Sequence, residues 1–403
     1  MKSRSFSACA ALLALLLACG GPETIDGPGT SGGPEPVAGR LTILGSGVVT
    51  ERYTAEVWAH GNFAYTGTGS KDGVPGNAVK IWNISGAQPT LVDSVIIADA
   101  GQVSDIQVTD DGALLVVSTE PAPGAIYIYS LSNPGKPALV SRFNSPSTNP
   151  GVHTAEVQRV GGVLYAFLST DRSQTDPSRL VIVDLRTPAK PMEIFSEPMG
   201  NPFVHDVFVR DGILFVMAWN AGVEIYDIGG GGRGGSPSSP VLISRAATVG
   251  GKVHNAWWYH DPSGAKRYLF VGEEGPRTTD VLSQGDIHVM DVSDMSNPRE
   301  VAFYSVPSAG THNFSVDESR GILYAAYYNG GVRAIDIRGD LGGCASAQKS
   351  ADGRCDLVKM GREVAVGLSD AGKSVFVWGV RFLARKVYVS DLLNGLWVLG
   401  EAP

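Results

Sequence analysis

The chain of 403 residues holds only four cysteines, too few for a disulfide-built scaffold or a cysteine-rich zinc domain. Charge is scarce as well: 18% of residues are charged, and 40 acids against 32 bases leave a net charge of −8. That balance argues against electrostatic capture of nucleic acid or of an anionic lipid surface. The apolar run at 10–17 is too short to cross a bilayer, and no stretch sustains a helical period. A G-x-S-x-G match at 29–33 has neither the strand before it nor the helix after it that a hydrolase nucleophile needs. What is present in quantity is apolar surface, at 43% of residues, enough for a large core. Fifty-one glycines and 24 prolines are spread along the chain without a collagen period, the mark of many short strands joined by turns.

The N-terminus carries an address. Lys2 and Arg4 precede the apolar run, and Ala18 stands before Cys19, a pattern that resembles the bacterial lipobox, in which the signal is removed and the cysteine acylated. The plainer alternative is a secretory signal cut after a small residue. Either reading takes the chain out of the cytoplasm. The expectation is a signal at 1–18, a lipid anchor on Cys19 as the one contact with the membrane, and an outer-membrane or cell-surface location, or a periplasmic one. Residues 19–40, nearly free of large apolar side chains and dense in Gly and Pro, read as a tether.

From residue 41 onward the sequence repeats. A third-strand pattern recurs as AVKIWNIS (78–85), AIYIYSLS (125–132), LVIVDLRTP (180–188), GVEIYDI (222–228), DIHVMDVSD (286–294), GVRAIDI (331–337) and GLWVLG (395–400). Each is preceded by an aromatic-rich strand such as VLYAFLS (163–169) or ILFVMAW (213–219), often entered through Asp-Gly or Gly-Gly, the chemistry of a tight hairpin. In the first five copies a Pro-containing turn leads to a fourth strand, as in PALVSRF (137–143). Four antiparallel strands per unit, repeated seven times, predict an all-β, seven-bladed β-propeller over 41–403. The seventh unit ends one strand short, and LTILGSGV (41–48) has the pattern to complete it, closing the ring by pairing the two ends. A six-bladed ring with one unit outside it is the architectural alternative.

The LVIVDLRTPAKP and DIHVMDVSDMSNP segments resemble the LVIVD repeat family of bacterial exported β-propellers over about 41–400. The resemblance implies the fold and export, and assigns no activity. Three copies depart from the pattern at the Asp position, with Asn83, Ser130 and Gly400.

Aligning the units on their first strand gives one column with chemical content: Tyr53, Ser104, His153, His205, His254, His312 and Trp378. Four consecutive units place a histidine there, each followed by Thr154, Asp206, Asn255 or Asn313. First strands line the channel of a propeller, so the column forms a ring. Converging imidazoles would suit copper, zinc or iron, and the polar residues that follow could orient them. The structural alternative is an inherited hydrogen bond that ties each blade to its neighbour. His60, His260 and His288 read as surface or packing residues. Cys344 and Cys355, eleven apart in a Gly/Ser-rich insertion, are expected to form a disulfide, and the Gly-rich 229–235 to be a flexible loop.

Two functions follow. The first is a non-enzymatic binding or scaffold module, monomeric, taking a protein or carbohydrate partner on a propeller face and no nucleic acid. The second is a metalloprotein, with redox chemistry as an option, built on His153, His205, His254 and His312.

Overall fold

The computed structural model describes residues 39–199, 202–275, 283–369 and 371–403. The expected signal, the expected anchor Cys19 and most of the expected tether lie outside them. Among the described residues no helix is long and apolar enough to cross a membrane.

Seven sheets follow one another along the chain, and each begins at the axis and steps outward, strand by strand. Blade three shows the pattern: Val152–Val160 pairs with Val163–Thr170, then Arg179–Asp184, then Met192–Pro198, all antiparallel. Alternation along the buried third strand explains the repeat. Leu180 and Ile182 pack toward blade four, while Val181 and Val183 pack toward blade two, so every position of the LVIV run is apolar because both faces of the blade are covered. Seven apolar clusters result, each shared by two adjacent blades.

The Asp that ends the run caps a turn. Asp184 accepts the amide N–H of Arg186, and Asp291 and Asp336 do the same two residues on, an Asx turn. Asn83 and Ser130 make the same bond to Ser85 and Ser132, so those two departures from the repeat keep its physics. Asp227 goes further. Its carboxylate accepts the amides of Gly229, Gly231, Arg233 and Gly235; burial opposes ionisation, but the four donors outweigh it and hold the carboxyl down at about 2. The glycine-rich stretch expected to be flexible is therefore wrapped around one internal anion.

The ring closes through the N-terminus. Ile43–Val48 pairs antiparallel with Gly395–Gly400 as the outer strand of blade seven. Gly39–Arg40, just before it, runs parallel to Glu363–Gly367 of blade six, a second tie that the repeat pattern does not show. Glu363–Gly367 is itself the fourth strand of blade six, displaced past the insertion. Within that insertion Cys344 and Cys355 are bonded, and Cys355–Asp356 lies parallel along the outer strand of blade five.

Candidate metal centre

Inner strands start on the face that also carries the turns between second and third strands, so residues beginning the first strand and ending the second meet there. The backbone at the start of the inner strand bulges. Val152 faces Thr170 and Thr154 faces Ser169, leaving His153 as the extra residue; His254 and Trp378 occupy the same irregularity. A bulge re-aims one side chain out of the pleat, and here it turns the column toward the channel mouth. Ser104 sits in the equivalent slip of blade two. Blade one corrects the alignment: the slip lies between Thr54 and Val57, so Ala55 holds the column position and Tyr53, which pairs with Gly69 two residues earlier, does not. A polar side chain near the strand start was a false guide to register, because the bulge adds a residue that sequence spacing alone does not reveal.

The four histidines form a continuous row. Ring centroids are 4.4 Å apart for His153 and His205, 4.1 Å for His205 and His254, and 4.1 Å for His254 and His312. His205, His254 and His312 are buried. His312 Nδ1 donates to the carbonyl of Trp378 at 2.6 Å, which fixes its tautomer and puts the ring's lone pair on Nε2. Burial, followed by the nearby His254 and His153, pushes the His205 imidazole well below its ordinary pKa. A neutral imidazole is the form that binds a metal.

Three carboxylates that the first-strand column does not contain complete the site. Glu274 brings its Oε2 to 3.5 Å from His205 Nε2, and one ligand atom from each of His205, His254 and Glu274 lies within 4.8 Å of the others. Glu120, His153 and Asp171 form a second such group. These acids, with Trp219 and Tyr328, are the residues at the end of the second strand of blades two, three, five, four and six. Aligning the repeats on that strand instead of the first would have displayed Glu120, Asp171 and Glu274 as a second column. Tyr328 donates its hydroxyl to Glu274, and the Trp219 indole stacks on His205 at 5.2 Å. Both Trp219 and Tyr328 hold φ in the left-handed region, at 51° and 38°, a conformation that bulky residues occupy only where the surroundings impose it.

One residue deeper the chemistry changes. Glu56, Asp105 and Asp206 each accept the amide N–H of the next residue, and Asp105 also accepts that of Ala155 across the blade boundary. Burial, then the neighbouring Asp105, raises Glu56 to about 8 and Asp206 to about 7. Glu156 is raised to about 8 by burial and then Asp206. The histidine row thus stands above an acid-rich layer that burial and mutual repulsion bias toward its protonated, neutral form.

No family model matches the chain, and none of the curated proteins does. Among solved structures it is similar to the β-propeller domain of Cps50 (Swd1) from Myceliophteria thermophila, with a TM-score of 0.59 over 90% of this chain and 100% of that one, at 12% identity. The likeness is one of fold.

Proposed function

We propose that the protein is an exported, lipid-anchored β-propeller of the LVIVD type that binds a divalent late first-row transition ion at its channel mouth. The observation that carries the reading is the buried convergence of His205, His254 and Glu274, with ligand atoms within 4.8 Å of one another. Two imidazoles and one carboxylate are a donor set suited to zinc, iron or copper. The surroundings support it. His312 has its ring oriented by the Trp378 carbonyl, Glu274 is positioned by the Tyr328 hydroxyl, and hydrogen bonds of this kind hold metal ligands in place. Export through the lipobox would set the site outside the cytoplasm, with the tether leaving the propeller faces accessible to a protein or carbohydrate partner.

The test is elemental analysis of the untagged chain after loading with zinc, copper or iron and exhaustive dialysis. Wild type should retain at least one ion per chain, and a His205→Ala/His254→Ala variant with an unchanged circular-dichroism spectrum should retain none at this position. A wild-type chain that keeps no metal overturns the reading.

A further inference from the structure

His153 stands between the two ligand groups and faces both. Its Nδ1 is 2.8 Å from Glu120 Oε2, and its Nε2 is 3.2 Å from His205 Nε2. Bond lengths of about 2.0–2.1 Å around a tetrahedral ion give a ligand-to-ligand edge of about 3.3 Å. The two Nε2 atoms are therefore already spaced as neighbouring ligands of one ion. On the other side of the ring, Glu120 and Asp171 supply carboxylate oxygens within 4.8 Å of a His153 nitrogen. One further observation marks that side as a site. Gly151 leaves room that only glycine leaves, since a Cβ there would fall 2.0 Å from Asp171 Oδ2.

We propose that the mouth holds a two-metal centre in which His153 bridges: Nε2 to an ion on His205, His254 and Glu274, and Nδ1 to a second divalent ion on Glu120 and Asp171. This rests on the reading above and adds the second ion and the bridge. A neutral imidazole has one lone pair and one N–H. Binding the second ion therefore releases to water both the ring proton and the proton shared by the hydrogen-bonded Glu120–Asp171 pair, and leaves an imidazolate, with no change of oxidation state. The second ion has two carboxylates and one imidazole, a harder set than the first, so it exchanges for manganese more readily than the first does.

Cu(II) is the probe, because an imidazolate bridge couples two copper spins. The metal-free, untagged full chain titrated with CuSO4 is expected to take two ions, with a low-temperature EPR intensity well below two spins. A Glu120→Gln/Asp171→Asn variant should take one ion at full single-spin intensity, and Gly151→Ala should do the same by displacing Asp171. The coupling is read in the wild type, so the test survives a variant that fails to fold. Two ions with two full spins, or a single ion in the wild type, would overturn the bridge while leaving the first site standing. No bound copper would overturn both.

Discussion

Glu273 and Glu274 are consecutive, yet they serve two buried histidine–carboxylate groups with opposite electrostatics. Glu274 reaches the channel mouth beside His205. Glu273 faces inward to His288 at 3.5 Å, and the other His288 nitrogen meets Glu300 at 2.8 Å. Glu300 also pairs with Arg354, which comes from the disulfide-bonded insertion. At His288 burial opposes the charge, but Glu273 and Glu300 outweigh it and hold the pKa up at about 9. At His205 burial and two further imidazoles win, and the ring stays neutral. The balance of neighbours decides the outcome: two carboxylates on His288 outweigh its burial and keep it charged, whereas at His205 burial and two adjacent imidazoles outweigh the single carboxylate of Glu274. His288, which the sequence left as a surface or packing residue, is buried in an ion-pair network and carries a charge that its sequence did not announce.

The contrast can be broken most forcefully at Glu300. Glu300→Gln takes from buried His288 and half-buried Arg354 the anion they share, leaving them Glu273 and Asp352, and should lower unfolding stability by about 3 kcal/mol in urea titration; a loss under about 1 kcal/mol would mean that the network is not closed. Cys344→Ser/Cys355→Ser frees the insertion that delivers Arg354. Opening a loop of this length costs about 3 kcal/mol, measured as a fall in the urea midpoint at unchanged slope.

Proton linkage separates the two groups by sign. His288 has its folded pKa raised, so its contribution, about 3 kcal/mol for a move from about 6.5 to about 9, is complete below pH 6.5 and disappears as pH rises through about 9. His205 in the metal-free chain has its pKa depressed, so the unfolded chain takes up the proton first and stability falls as pH drops below about 6.5. Subtracting the pH–stability curves of His288→Gln and His205→Gln from wild type should show slopes of opposite sign, and two slopes of the same sign would remove the distinction. The smallest expected effect is at Tyr328→Phe, which deletes the hydroxyl on Glu274: metal affinity should weaken about 10- to 100-fold in a competition titration against a chromophoric chelator, with apo stability nearly unchanged.

Much of this molecule could be read directly. The LVIV runs gave the third strands because a strand covered on both faces must be apolar at every position, and residues 41–48 gave the closing strand because a ring with one strand missing needs one. The histidine column was legible for the same reason, since equivalent residues of a closed ring share one end of the channel. Tyr53 was misplaced and Ala55 overlooked because a bulge shifts register by a residue without changing the pattern around it.

The residues that make the row a site were the ones hidden. Glu120, Asp171 and Glu274 stand 33, 18 and 20 positions from their histidine partners His153, His153 and His254, and no local pattern joins them. They meet because the second strand of each blade runs back to the mouth where the first strand starts. Sequence by itself determined the blades, their number and the identity of the imidazoles, because periodic burial leaves a periodic record. Only the closed ring decided which carboxylates face which rings and which way His153 points, because those distances depend on the packing of one blade against the next.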